Sequence, residues 1–200
     1  GGLSFAAGAV QMGASVILLE SHKMGGDCLN YGCVPSKALI AAAKSFYENK
    51  RGEKFGWHSE STKVDFKKLR AHIKSVIAEI APNDSVERFE KLGVTVIKAE
   101  GQFIDKDTVK AGSKLIKAKR FIISTGSSAF IPNIAGLDSV DYLTNESIFD
   151  IQALPKRLVV IGGGPIGVEI AQAFSRLGSN VIILEAFKAL PKDDSEIISK

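Results

Sequence analysis

Two cysteines stand in a chain of 200 residues, Cys28 and Cys33, with four residues between them in the stretch GGDCLNYGCVPSK at positions 25–37. Thiols placed this way can ligate a metal, close a structural disulfide, pack as small hydrophobes, or cycle between dithiol and disulfide. A metal site usually asks for four ligands, often with a C-x2-C spacing. The chain has no third cysteine, and its histidines, His22, His58 and His72, are scattered. A structural disulfide across so short a loop adds little stability, and the surroundings read as those of a reducing compartment. Core cysteines sit poorly among Gly25, Gly26 and Gly32. A redox dithiol beside a nucleotide cofactor accounts for more of the stretch. Thiols five positions apart can close a disulfide and reopen it by thiolate attack. A helix start at Pro35 and the nearby Lys37 would add positive potential at the pair.

A nucleotide cofactor has its own signature further along. Leu158–Ile161 reads as a buried strand running into Gly162-Gly-Gly164-Pro165-Ile166-Gly167, a G-x-G-x-x-G. A helical stretch follows to Gly178, then a second strand, Val181–Leu184, closing on Glu185. Strand, glycine turn, helix, strand and terminal acid together form the dinucleotide-binding βαβ fingerprint. Gly162 permits the tight turn, Gly164 lets backbone approach a pyrophosphate, and Gly167 lets the helix lie close on the strand. The helix N-terminus then faces the phosphates. Glu185 stands where a carboxylate accepts from a ribose 2′-OH, which favours NAD over NADP because a 2′-phosphate would be repelled.

The opening of the chain repeats the second half of this unit. Gly2 precedes Glu20 by the same 18 positions that separate Gly167 from Glu185. GASVILLE at 13–20 matches GSNVIILE at 178–185 in register, and Ala6 and Ala171 fall at equal offsets. Two copies of one nucleotide-binding unit are the simplest account. Gly2 is then the third glycine of the first fingerprint, and the chain is expected to be a piece of a longer one.

Composition is that of an ordinary globular protein: 45% hydrophobic, 24% charged, with a net charge of +4. Basic residues gather slightly at Lys114–Arg120 without aromatics between them, so no nucleic acid is expected as a partner. Residues 1–19 carry no charge, but four glycines, Gln11 and two serines argue against a membrane span, and no basic n-region precedes them.

The positioning elements follow from periodicity. Pro35 suits a first helical turn continued by Ala38–Tyr47. Phe66, Leu69, Ile73, Val76, Ile77 and Ile80 recur at helical spacing until Pro82-Asn-Asp. Short β-like runs follow at Val94–Ile97, Phe103–Ile104, Val109 and Leu115–Ile116, and Phe121–Ser124 reads as a buried strand leading into Thr125-Gly126-Ser127. Residues 128–156 are loop-rich. Trp57, His58 and His72 carry no pattern and are given no role.

Taken together, GGDCLNYGCVPSK, the 2–20 unit, Thr125-Gly-Ser127 and GGGPIGVE at 162–169 resemble the class I pyridine nucleotide–disulfide oxidoreductases. Dihydrolipoamide dehydrogenase, mercuric reductase and glutathione reductase are among these flavoenzymes. The resemblance covers essentially the whole chain. It implies an α/β fold of two three-layer, Rossmann-like dinucleotide-binding domains, both incomplete: residues 1–152 for FAD, without the first strand and first two fingerprint glycines, and 153–200 beginning an inserted NAD domain.

Carried over by position, the resemblance implies that Gly2 and Glu20 hold the FAD pyrophosphate region and adenosine ribose. Gly25 and Gly26 pass close to the cofactor, Gly101 approaches the adenine, and Thr125, Gly126 and Ser127 close over its phosphates. Cys33 would sit against the flavin as the charge-transfer thiolate, with Cys28 the interchange thiol. Lys37 would lie near the flavin N5, paired with Glu169. Gly162, Gly164, Pro165, Ile166, Gly167 and Glu185 would bind NAD(H). Asp27 departs from the family, where many relatives carry Thr. Pro165 stands where glutathione reductases have a Tyr shielding the flavin, which with Glu185 argues against that branch. The GGDC variant and Asn83–Val94 look like the mercuric reductase and dihydrolipoamide dehydrogenase branch. The implied substrate is a disulfide such as a lipoyl group, or mercuric ion, in a cytoplasmic homodimer. Relatives complete the relay with a His-Glu pair from the partner subunit's C-terminal domain; none of the histidines here matches it, so these 200 residues alone are expected to be inactive.

Overall fold

The computed structural model describes residues 1–56, 63–192 and 196. Trp57 and His58 therefore lie outside the described residues. In chain order the elements are α1 (Gly2–Gln11), β1 (Ile17–Leu19), α2 (Gly26–Asn30), α3 (Cys33–Arg51), α4 (Phe66–Ile80), α5 (Val86–Lys91), β2 (Thr95–Ile97), β3 (Gly101–Phe103), β4 (Thr108–Ala111), β5 (Lys114–Lys117), β6 (Arg157–Ile161), α6 (Pro165–Leu177) and β7 (Asn180–Leu184). The fold is α/β. No described helix is long and apolar enough to cross a membrane.

Most elements lie where side-chain periodicity places them. α4 spans the run from Phe66 to Ile80 and buries Leu69 and Ile73, and the Pro82 segment after it tightens to a 3₁₀ turn. Pro cannot donate the N–H that a continuing α-helix needs. α3 extends the helix expected over Ala38–Tyr47 by a turn at each end and takes Pro35 in its first turn. α5 is started by Ser85, whose side chain accepts from the Arg88 N–H.

The chain divides into two compact units, residues 1–30 with 77–135, and residues 31–76 with 136–200. In the first, β1 and β2 pair in parallel with Leu18 opposite Val96. Their buried side packs on Ala6, Phe89 and Val94 together with Leu3, Ala7, Val10 and Met24. A separate antiparallel sheet runs β3-β4-β5. In the second unit, β6 and β7 pair in parallel with α6 as the crossover. α6 buries Ile170, Ala171, Ala173, Phe174 and Leu177, and α3 buries Ala38, Leu39 and Ala43 where the two helices pack. Alanines on both helices let the backbones approach closely.

The internal repeat is structural as well as sequential. Ala6 and Ala171 are both buried, at 2% and 3% exposure. Gly13 and Gly178 both adopt left-handed φ, 84° and 111°, just after their helices. The closing hydrogen bonds correspond: Gly13 N to Val10 O and Ala14 N to Ala9 O in one copy, Gly178 N to Ser175 O and Ser179 N to Phe174 O in the other, all 3.0 Å. These satisfy last-turn carbonyls in the manner of a glycine-terminated helix.

Two expectations are corrected. Phe121–Ser124 forms no strand; Ile122 and Ile123 are 52% and 74% exposed, and no described strand pairs with them. β6 is not buried on both faces: Leu158 and Val160 are half-buried, while Val159 and Ile161 are 54% and 47% exposed. A parallel pair covered by one crossover helix shields one face and alternates along the strand.

Candidate functional site

The cysteine segment is shaped by its glycines and by Asn30. Gly25 and Gly26 both take positive φ, 90° and 57°. At Gly25 a Cβ would meet Leu29 Cδ2 at 2.3 Å, so only glycine fits. The Asn30 amide donates to Met24 O at 3.0 Å and Gly26 O at 2.9 Å, stapling the turn that leads into α2. Sequence reasoning missed Asn30; an Asn with two donors within six residues of consecutive glycines is the signal that could have found it. Cys28 lies in α2 and Cys33 is the first residue of α3, and both are exposed. The Ser36 hydroxyl donates to Cys33 O at 3.3 Å, adding to the first turn of α3.

Lys37 and Glu169, 132 positions apart, are brought together. Lys37 Nζ donates to Glu169 Oε1 at 2.8 Å and Oε2 at 2.7 Å, joining α3 to α6. The side chains remain 61% and 44% exposed, so water screens the pair. Its contribution to stability is small, and Lys37→Met is expected to lower stability by less than ~1 kcal/mol, read as a change of no more than about 4 °C in a thermal melt. A much larger drop would mean that the pair holds the helices together.

In the first unit, Gly2 opens α1, and a Cβ on it would meet Ser124 Cβ at an ordinary 3.4 Å. Glu20 follows β1, and its Oε1 accepts from the His22 N–H at 2.7 Å. Gly101 begins β3; a Cβ there would lie 2.9 Å from Leu19 Cδ1, and Gly101 lines an open cleft with Glu100, Gln102, Lys110 and Gly112. Thr125, Gly126 and Ser127 form an exposed, irregular segment with Gly126 at φ 77°. Asp27, the departure noted above, faces this segment: its Oδ2 accepts from the Ser127 N–H at 3.5 Å.

In the second unit the fingerprint turn has its own internal logic. Gly162 has φ 109°. A Cβ on Gly167 would stand 2.2 Å from Gly162 O and 3.3 Å from Val160 Cγ1, so helix and strand touch through the missing side chain. Gly164 is the N-cap of α6, without a side-chain cap, and nothing lies within 4 Å of where its Cβ would be. α6 thus begins without a capping side chain, at a glycine with room beside it, an arrangement that fits a phosphate. Pro165 and Ile166 are exposed on the first turn. Glu185 follows β7. Its carboxylate accepts from the Gly163 N–H at 2.6 Å and the Phe187 N–H at 3.0 Å, the latter repeating the Glu20–His22 bond. These donors, Gly163 foremost, hold the Glu185 carboxyl below the usual carboxylate range. Among the described residues no group of three or more His, Cys, Asp and Glu is placed to hold a metal ion.

Comparison with known proteins follows the same lines. The family described as "Pyridine nucleotide-disulphide oxidoreductase" matches residues 1–200. A mercuric reductase of Bacillus cereus is 38% identical over 200 residues, covering 98% of this chain and 32% of its own length. A dihydrolipoyl dehydrogenase of Geobacillus stearothermophilus is 36% identical over 191 residues, covering 92% and 40%. Among solved structures, the Cu(II) complex of the HOCl-induced flavoprotein disulfide reductase RclA from Escherichia coli superimposes with a TM-score of 0.82 at 26% identity, covering 99% of this chain and 43% of that one. The chain thus spans about a third to two fifths of the length of these relatives. By its full-length match, the chain belongs to the pyridine nucleotide-disulphide oxidoreductase family.

Proposed function

We propose that this chain carries the cofactor-binding and dithiol portion of an NAD- and FAD-dependent disulfide oxidoreductase. The observation that carries the reading is the Lys37–Glu169 pair, which joins the helix begun by Cys33 to the helix begun by the second glycine turn. The net exchange is balanced as NADH, one proton and a disulfide giving NAD⁺ and two thiols.

Residues 1–152 form the FAD-binding domain in this reading. Gly2 and Glu20 hold the pyrophosphate region and the adenosine ribose, Gly25, Gly26 and Gly101 let backbone pass close, and Thr125–Ser127 close over phosphates. Residues 153–200 begin the NAD domain. The uncapped N-terminus of α6 takes the pyrophosphate, with Gly162, Gly164, Pro165, Ile166 and Gly167 around it, and Glu185 takes the ribose. When bound, the flavin supplies hydride acceptance and two-electron transfer. The chain's own residues supply the rest. Glu169 holds the Lys37 ammonium by both carboxylate oxygens, fixing a positive charge one turn beyond Cys33. Cys33 is the thiol nearest the flavin. Cys28, exposed on the short helix α2, is the sulfur that attacks a substrate disulfide or is released from one.

Mercuric ion is a second substrate of suitable chemistry, because soft thiolates bind it and the mercuric reductase of Bacillus cereus is among the similar relatives. The balance is then NADH and Hg²⁺ giving NAD⁺, Hg⁰ and one proton. A homodimer in a reducing, cytoplasmic compartment suits a cycling dithiol.

An anaerobic NADH titration of the full-length protein, followed by visible absorption, tests the reading. A long-wavelength band appearing at two electrons and missing in Cys33→Ser places the dithiol on the flavin. A flavin that only bleaches would leave the cysteines outside the relay and favour a nucleotide-binding or thiol metal-carrier module. Turnover with lipoamide against turnover with Hg²⁺ then separates the substrates.

A further inference from the structure

Gly163 is the x of G-x-G, a position that the fingerprint opens to any residue. The structure does not. Gly163 is buried. Its N–H donates to Glu185 Oε2 at 2.6 Å, and its carbonyl accepts from the Leu190 N–H at 2.9 Å. A Cβ there would come within 3.2 Å of Glu185 Cγ, Ala189 Cα and Ala189 Cβ. Both backbone groups and the absent side chain are therefore committed to one segment, 185–190, which folds back onto the turn. Leu190 reaches its bond with φ 48°, a left-handed conformation that costs a residue with a side chain. Glu185 Oε1 is held independently by the Phe187 N–H at 3.0 Å. With both oxygens tied to backbone donors, the direction of the carboxylate is fixed and its ionised form is favoured.

We propose that Gly163 is a positioning residue for Glu185 and, through it, a determinant of the preference for NAD(H) over NADP(H). The inference rests on the dinucleotide reading of residues 153–200. A carboxylate held at the end of β7 keeps lone pairs for ribose hydroxyls and opposes a 2′-phosphate at short range. A side chain at 163 must displace something at 3.2 Å. Each neighbour must give by a few tenths of an ångström; Ala189 Cα is backbone, next to the constrained Leu190, so most of the adjustment falls on the flexible Glu185 side chain. A carboxylate shifted off the Gly163 N–H is less firmly aimed at the ribose and discriminates less.

The test is calorimetric titration of NADH and NADPH into the parent protein and Gly163→Ala. NADH is expected to weaken on the order of tenfold, the scale of one hydrogen bond to a charged group, while NADPH changes much less, so the preference narrows. A preference unchanged in a folded Gly163→Ala overturns the inference. If the parent binds neither dinucleotide, the reading of 153–200 fails and the preference claim fails with it. The clasp itself is read separately from amide hydrogen exchange at Gly163, which also decides the matter if Gly163→Ala does not fold. Exchange is expected to quicken about tenfold or more in Glu185→Ala. Equal exchange rates in parent and Glu185→Ala would show that the carboxylate is not held there and overturn the positioning role.

Discussion

Cys28→Ser in the full-length protein is expected to lose disulfide turnover by on the order of 10³-fold or more, while keeping its fold and its cofactors. The size of the effect follows from what the sulfur does in the proposed exchange. Attack on a disulfide needs a thiolate, and a serine hydroxyl at neutral pH supplies neither the charge nor the polarisable nucleophile. The fold should not notice. Cys28 is exposed on α2, and exposed substitutions of this kind usually shift stability by no more than ~0.5 kcal/mol. Turnover with lipoamide and a thermal melt on the same sample separate chemistry from folding. Unchanged turnover would end the dithiol reading, and a collapsed melt would mean that the thiol is structural. Cys33→Ser should lose turnover too, but with the long-wavelength absorption lost as well.

The parts of the fold set by local chemistry were legible from the residues. The spacing of Phe66, Leu69, Ile73 and Ile80 and the stop at Pro82 describe α4 as it stands. The equal separations Gly2–Glu20 and Gly167–Glu185 pointed to a repeated unit, and the structure extends that repeat to matching helix ends and matching acid-to-amide bonds. Family resemblance pointed to the Lys37–Glu169 pair; no local pattern could have joined residues so far apart. What escaped depends on partners elsewhere in the chain. Phe121–Ser124 has the composition of a strand, but a strand exists through hydrogen bonds to a neighbour, and composition does not name one. The exposed alternation of Val159 and Ile161 reflects how many layers cover the sheet, which an apolar run does not encode. Gly163 acts through its own backbone groups and Asn30 through a side-chain amide bound to backbone carbonyls, and neither is a fixed position of the fingerprint or cysteine motif.

The largest stability effect is expected at Gly167. Its Cβ position lies 2.2 Å from Gly162 O, with Gly162 C and Val160 Cγ1 both at 3.3 Å. The first two are backbone atoms of a turn already committed to φ 109° at Gly162, so relief requires α6 to move off β6. That movement would open the packing of Ile170, Ala171 and Phe174, which supply much of the buried apolar surface of α6. Overpacking of this kind costs ~3 kcal/mol or more, a fall of about 6–12 °C in melting temperature for a chain of this size. Gly164→Ala is the informative partner. Nothing lies within 4 Å of its Cβ position and its φ of −74° suits any residue, so its melt should stay within ~1 kcal/mol of the parent. If backbone at 164 must touch a pyrophosphate, the same methyl should still weaken NADH binding. One glycine would then be required by the protein and the other by its ligand. Equal melts for the two variants would refute the steric account of Gly167, and full NADH affinity in Gly164→Ala would remove the pyrophosphate from that turn.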